Sequence, residues 1–373
     1  MRKLSEILSI LKESGYIDVQ LINQALVNKI TFLPLGSVLL DKIRSECHSN
    51  RGGINTYNTN NQNGETIDLF QHRAEPNSLY KSKSFRENIL HIKNQFQTDI
   101  PLAISENLKF SNHLGPNSDT FSVNLQNGTL ISCSYFVNES AATEYFHRIQ
   151  RERKIWWMKF SLNPGRYFLS DLSTQELNNY KVQTVKIKSR FNFGEMDLES
   201  VDVVPLRALE LDNLEDFYFK DARLKRRILP AVVRSELCLE AAVLGILMDS
   251  VEDSRDKKIN INRKIAPYQC SVFCFSKDEK ILLELEDLAA HLTNVIRRSG
   301  LTALNLQKCR TNSDQILVRE LKDMDQVGIP YSIILENESL RTGVMKLRSR
   351  DTGLSETIHI TDVPDYLLKI FNS

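Results

Sequence analysis

From residue 268 to the carboxyl end the chain alternates two periodicities, and few architectures accept that alternation. Tyr268–Phe275 and Tyr331–Leu335 are apolar runs of strand length, and residues 279–299 and 314–326 repeat apolar side chains at helical spacing. Further strands are expected near Leu304 and over Val344–Leu347, and a terminal helix from Asp362. Strands interleaved with helices build a partly parallel sheet with helices packed on it. The polar stretch DSRDKKININRK (Asp253–Lys264) marks a boundary before this unit.

The middle of the chain reads differently. TFSVNL (Thr120–Leu125) and TLISCSYFV (Thr129–Val137) flank Asn127-Gly128, the signal of a tight hairpin. A helix is expected over residues 140–159, then strands over Tyr180–Phe191 and Ser200–Leu206. Pro230–Val233 reads as a buried strand entering an apolar helix, Leu239–Met248. An antiparallel sheet with helices beside it is expected here, preceded by a helix over residues 78–97 with Phe85, Ile89, Ile92 and Phe96 on one side. Residues 1–48 read as helices: Leu4, Ile7, Leu8 and Leu11 share a face, Leu21, Ile22, Ala25, Leu26 and Ile30 keep a helical period, and Pro34 opens the next helix. The Asn- and Gly-rich residues 49–66 read as a loop or insertion outside any core. The expected domains are thus 1–77, 78–262 and 263–373. Arg2, Lys3 and Lys12 beside the first apolar face resemble a mitochondrial presequence, whereas Glu6 and Glu13 fit an ordinary amphipathic helix, and both readings stand.

With 48 Lys and Arg against 47 Asp and Glu, and 41% hydrophobic residues, the composition excludes disordered, collagen-like and coiled-coil chains. No stretch approaches the roughly 20 apolar residues of a membrane helix. None of the six cysteines forms a CxxC pair; Cys270 and Cys274 lie on one strand face about 13 Å apart, too far for a disulfide. All six are expected as free thiols. Phosphate-binding, zinc-protease and nucleophile-elbow motifs are missing, and the histidines lack metal-ligand spacing. Asp323 and Asp325 read as the exposed end of a helix. No catalytic residue, metal or cofactor is expected. Of Trp156 and Trp157, one is expected in the core and the other at an interface.

Charge is distributed more tellingly. Between Arg148 and Arg190 ten basic residues stand against three acidic ones, in a chain of net charge +1. Such a local excess suits a phosphate backbone. The candidate DNA contacts are Arg148, Arg151, Arg153, Lys154, Lys186, Lys188 and Arg190, with Lys186, Lys188 and Arg190 alternating onto one strand face. The alternative is a solvated face balanced by acidic neighbours from residues 191–262. Arg223, Lys225, Arg226 and Arg227 form a second basic cluster.

GIPYSIILENESLRTGVMKLRSRDTG (Gly328–Gly353) resembles the anticodon-binding domain of class II aminoacyl-tRNA synthetases of the glycyl, prolyl, histidyl and threonyl group. Those domains share a Gly-x-Pro, an apolar strand, a turn with Glu, and a strand leading to an Arg-rich Asp-Thr turn. PAVVRSELCLEAAVLGILMDS (Pro230–Ser250) is similar to synthetase motif 3, where the family carries a glycine and an ATP-gripping arginine; here Cys238 and Ala241 stand at those places. No motif 2 arginine is found, since Phe85-Arg86-Glu87 lies too early and in a helix. The resemblance implies an α+β, degenerate class II synthetase-like antiparallel-sheet domain followed by an α/β anticodon-binding-like domain.

QRERKIWWMKFSLNPGRY (Gln150–Tyr167), KIAPYQC (Lys264–Cys270) and LRSRDTGLSETIHITDVPDYLLKIF (Leu347–Phe371) together resemble the accessory subunits of mitochondrial DNA polymerase gamma, the insect type in particular. That resemblance implies a non-catalytic processivity factor of the mitochondrial matrix nucleoid, which binds the polymerase catalytic subunit and assists primer–template binding. Vertebrate relatives dimerise through a helical insertion; no extra helical pair is read between Arg190 and Pro230, so one accessory chain per catalytic chain is expected. The partner surface is expected on the C-terminal domain, at Arg341, Lys346, Arg348 and Arg350, the last three alternating onto one sheet face. The alternative reading is a class II synthetase paralogue or tRNA-binding protein.

Overall fold

The computed structural model describes residues 2–22, 25–49, 53–60, 66–74, 78–96, 99–112, 121–211, 213–221, 226–252, 258–306 and 310–372. It divides into two compact units that alternate along the sequence. Met1–Tyr16, Leu33–Lys42 and Leu247–Ser373 form one; Ile17–Phe32 and Ile43–Ile246 form the other.

The chain opens with α1 (Leu4–Glu13), β1 (Ile17–Ile22), β2 (Leu26–Phe32), α2 (Pro34–Ser49) and β3 (Asn55–Asn60). Residues 17–32 are therefore not helical, against expectation. β1 and β2 pair antiparallel from Ile17↔Phe32 to Ile22↔Leu26. Their β-branched Ile17, Val19, Val27, Ile30 and Thr31 favour a pleated surface, and the apolar spacing that fitted a helix fits a strand pair equally well. The Asn-rich segment is also corrected: β3 runs parallel to the later strand β6, from Asn55↔Leu102 to Asn60↔Asn107. A backbone ladder needs no apolar side chain at a sheet edge, and Tyr57 adds a ring contact with Phe96 at 5.1 Å. Residues 61–65 of that segment lie outside the described residues.

Next come β4 (Thr66–Asp68), α3 (Leu69–Ala74), α4 (Ser78–Lys81), α5 (Lys83–Phe96), β5 (Asp99–Ile100), β6 (Leu102–Ser111), β7 (Ser122–Val123) and β8 (Asn127–Val137). The expected hairpin is absent among the described residues. β7 pairs in parallel with β2, while β8 pairs with β6. Asn127-Gly128 begins β8 instead of turning the chain. Glycine is needed there for close approach: a Cβ at Gly128 would stand 2.6 Å from Glu240 Oε2, which accepts the Thr129 N–H at 2.8 Å. Thr120 lies outside the described residues.

The larger unit continues through α6 (Ala142–Lys159), β9 (Tyr167–Leu169), β10 (Ser173–Leu177), β11 (Tyr180–Phe191), β12 (Gly194–Pro205), β13 (Phe219–Asp221), β14 (Arg227–Ile228), β15 (Ala231–Cys238) and the start of α7 (Leu239–Glu252). Its main sheet has nine strands. The order is β10-β11-β12-β15-β8-β6-β3, with β4 joining β6 and β9 joining β11. Alternation sends Ala103, Cys133, Tyr135, Val201 and Val233 to one face, where Phe146 and Ile149 of α6 close the core. The other face meets α3 to α5 through Tyr80, His72 and a Phe85–Phe136 ring contact at 6.4 Å.

In the other unit lie β16 (Cys270–Phe275), α8 (Glu279–Arg298), β17 (Ala303–Leu304), β18 (Arg310–Thr311), α9 (Asp314–Gln326), β19 (Tyr331–Leu335), α10 (Asn337–Thr342), β20 (Val344–Ser349), β21 (Ser355–His359) and α11 (Val363–Asn372). β16 is parallel to β17, β18 and β19, and β20 and β21 add antiparallel. Val272, Leu285, Leu292, Ile333, Leu347 and Leu367 share one core. α1 belongs to this unit, with Leu4, Ile7, Ile10 and Leu11 buried, Ile10 taking the place expected for Leu8. Tyr16 Oη donates to Val327 O at 2.7 Å. Cys47, Cys133, Cys238, Cys270 and Cys274 are free thiols, and Cys309 lies outside the described residues.

Candidate nucleic-acid and partner interface

The sheet face under α3 to α5 carries charges that an apolar strand pattern would not place there. Arg234 and Asp202 are cross-strand partners on β15 and β12, with Arg234 Nη2 3.1 Å from Asp202 Oδ2. Arg234 Nε also stands 3.6 Å from Glu236 Oε1. Glu236 accepts from Ser132 Oγ at 3.0 Å and meets His72 Nε2 at 2.8 Å, while His72 Nδ1 meets Ser78 Oγ at 2.9 Å. Burial alone would raise Glu236, but Arg234 and then His72 outweigh it and hold its carboxyl well below the usual range. Burial pushes Asp202 up, with Arg234 only partly opposing. One guanidinium thus serves two buried carboxyls, and the face is filled with its own countercharges.

Two strands across from Glu236, in register through Ser132, Glu106 on β6 is 2% exposed. Thr59 Oγ1 and Asn88 Nδ2 donate to its Oε1 at 3.2 and 3.3 Å, while Oε2 has no partner. Burial pushes the carboxyl from 4.5 up to about 7, against the lowering by those two hydrogen bonds. A carboxyl raised in the folded state costs nothing below its unfolded value, and the cost grows from pH 4.5 to 7. Glu106→Gln should therefore leave stability unchanged at pH 4 and raise it by about 2–3 kcal/mol at pH 8. Urea titrations at both pH values check this; an equal effect at both would reject it.

On the α6 side, Arg153 is 2% exposed and its Nε donates to Glu199 Oε1 at 2.6 Å. Trp157 Nε1 donates to Glu199 Oε2 at 2.9 Å, and Ser235 Oγ donates to the same carboxylate. Arg153 is therefore no DNA contact. Trp156 and Trp157 are both buried, 2% and 0% exposed, so neither faces an interface. The T-shaped pair fits because Trp156 folds over the Arg153 guanidinium, 4.5 Å from its ring centre.

Lys186, Lys188 and Arg190 do share one face of β11, and β12 answers each of them. Lys186 Nζ lies 2.6 Å from Asp197 Oδ2, Lys188 Nζ 3.4 Å from Asp197 Oδ1, and Arg190 Nη2 2.9 Å from Glu195 Oε1. The carboxylates come from residues 191–262, as the balanced-face alternative required. Arg148 pairs with Glu152 at 2.8 Å one helical turn on. Arg151 on the outer side of α6 is exposed and Lys154 half-exposed. Arg226 and Arg227 are exposed, and Arg223 and Lys225 lie outside the described residues.

In the C-terminal unit the four candidate partner residues separate. Arg341 is exposed on α10, and Lys346 pairs with Glu336 at 2.7 Å on the surface. Arg348 forks onto both oxygens of Asp325 at 2.8 Å, and the Asp325 side chain is 3% exposed. Arg350 is buried, donating to Gly328 O at 2.9 Å and Ile261 O at 3.3 Å. The expected single face ends at Ser349, the last residue of β20, after which the chain turns and carries Arg350 inward. Asp325 is likewise not on an exposed helix end. No cluster of three metal-ligating side chains occurs among the described residues.

The expected strand-to-helix passage at the motif 3 position is present: β15 ends at Cys238 and α7 starts at Leu239. Ala241 is buried there, and Cys238 Sγ lies 3.5 Å from Glu240 Oε2.

The anticodon binding domain family matches residues 269–370. The chain is 37% identical over 265 residues to "DNA polymerase subunit gamma-2, mitochondrial" of Drosophila melanogaster, spanning 69% of this chain and 72% of that protein. It is 23% identical to "DNA polymerase subunit gamma-2" of Bos taurus, over 80% of this chain and 64% of that one. It is also 22% identical to "Glycine--tRNA ligase" of Corynebacterium glutamicum, over 75% of this chain and 62% of the ligase.

Proposed function

The chain belongs to the family of mitochondrial DNA polymerase gamma accessory subunits, related to class II aminoacyl-tRNA synthetases, and from that premise we propose that it binds the polymerase's catalytic subunit in the mitochondrial matrix and raises its hold on primer–template DNA, without catalysing a reaction of its own. The observation that carries this reading is the identity to the fruit-fly subunit. Two features support a degenerate synthetase site. Cys238 and Ala241 occupy the positions where the synthetase family grips ATP, and a guanidinium at that point is a main contact to triphosphate. The sheet face beneath α3 to α5 is occupied by Arg234, Asp202 and Glu236, all under 9% exposed.

Arg341 and Lys346 remain candidate contacts for the catalytic subunit, and Arg151 and Lys154 for DNA. One accessory chain per catalytic chain fits the described part of residues 206–230, which holds two single-turn 3-10 helices, Leu206–Leu209 and Leu214–Phe217, and the short strands β13 and β14, with no long helical pair among the described residues. The test is co-purification with a mitochondrial polymerase catalytic subunit, followed by primer extension at increasing salt. Longer products in the presence of the chain are expected, together with amino-acid-dependent ATP–pyrophosphate exchange at the level of a blank. Exchange well above blank, without polymerase binding, would favour a synthetase paralogue instead.

A further inference from the structure

The cations of the β11–β12 ribbon are neutralised by their own carboxylates, whereas another group of cations is not. They gather on the small three-stranded sheet β14-β13-β5. Lys220 on β13 and Arg227 on β14 are directly opposed in an antiparallel pair. Opposed side chains of this kind stand about 5 Å apart at Cβ, and like charges so placed repel. Both are exposed, as is Arg226 beside them. No carboxylate lies within ion-pair distance of Lys220, Arg226 or Arg227 among the described residues; Asp99 is the register neighbour of Lys220 on the other side. On the opposite face of the same sheet lies Lys93 of α5, its Nζ 5.1 Å from the Phe219 ring centre and 2.7 Å from Asp216 O. Its charge is disfavoured first by burial and then by the Arg227 guanidinium, with Asp216 only partly opposing. The neighbouring Arg86 is already committed to Asp216.

We propose that Lys220, Arg226 and Arg227 form a docking site for the phosphodiester backbone of duplex DNA. The inference rests on the DNA-assisting function proposed above and gives it a location. Like charges held together without an ion pair among the described residues are stabilised by a polyanion. The face has a feature of sequence-independent binding: exposed cations that suit a phosphate backbone. The site is anchored from behind, since Phe219 alternates to the opposite side and is 2% exposed.

The test compares the full chain with its Lys220→Ala/Arg227→Ala variant in a duplex-binding titration over a salt series. Both residues are exposed, so thermal melting should match the parent and confirm folding. The slope of log affinity against log salt should fall by about 2 in the variant. An Arg151→Ala/Lys154→Ala variant is titrated in parallel to report on α6. A parent that binds with a salt slope, and a Lys220→Ala/Arg227→Ala variant that keeps that slope, would overturn this site while leaving the proposed function intact. A parent with no salt-dependent duplex binding would overturn both. Loss of catalytic-subunit binding with DNA binding retained would assign the patch to an acidic protein surface and overturn the DNA assignment.

Discussion

Replacing Arg234 by methionine is expected to cost about 3–5 kcal/mol of folding stability, because it removes the one cation that serves two buried carboxyls. Asp202 and Glu236 are 6% and 8% exposed, so water cannot take over the role of the guanidinium. His72 remains on Glu236 and softens the loss there; Asp202, whose Oδ1 already lacks a partner among the described residues, has no second side-chain donor among them. Arg234→Met/Asp202→Leu should therefore recover part of the loss, since removing both members of a buried pair is far less harmful than stranding one. Urea denaturation of parent, single and double variants measures this directly. A single-variant cost below about 1 kcal/mol, at the level of a surface pair, would show that the network does not hold the sheet to its helices.

The second large effect concerns the arginines that the sequence offered to a partner. Arg348→Ala leaves Asp325 at 3% exposure without its forked donor, and Arg350→Ala strips the donors from two carbonyls, Gly328 O and Ile261 O. Each unmet buried acceptor costs about 1–3 kcal/mol and a stranded buried carboxylate more. The double variant is expected to lose about 3–5 kcal/mol and several degrees of melting temperature, by differential scanning calorimetry. Arg341→Ala/Lys346→Ala should leave melting unchanged, since Arg341 is exposed and the Lys346–Glu336 pair lies on the surface. An unaltered melting temperature for the Arg348 and Arg350 double variant would return those two residues to the candidate interface.

Where the sequence was legible, one physical signal dominated its stretch. Tyr180–Phe191, Asp314–Gln326 and Tyr331–Leu335 appear with the bounds read from the sequence, because a long amphipathic repeat leaves a single way to bury its apolar side and the short apolar run Tyr331–Leu335 is buried as a central strand. Short elements with polar faces, β21 and α10, carry no such repeat and were not anticipated. β1, β2 and β3 were misread for a related reason: their strand character comes from a neighbour's backbone, through β6 for β3 and through each other for β1 and β2.

The candidate site divides along the same line. The sequence alone determined the family resemblance, the alternation that makes the C-terminal sheet, and the excess of positive charge between Arg148 and Arg190. It also held an unused signal: Arg234, Glu236, Asp202 and Glu106 interrupt otherwise apolar strands, and a charge inside such a run must find a partner in the core. Which partner it finds, only the tertiary structure decided. Net charge along a chain is summed in sequence, but a field is summed in space. The β11–β12 hairpin sets Glu195 and Asp197 against Lys188, Arg190 and Lys186, and α6 turns Arg153 inward onto Glu199. The pairing of Lys220 with Arg227 across β13 and β14, with Asp99 opposite Lys220 on its other side, is likewise a product of strand register, which no one-dimensional count of charges contains.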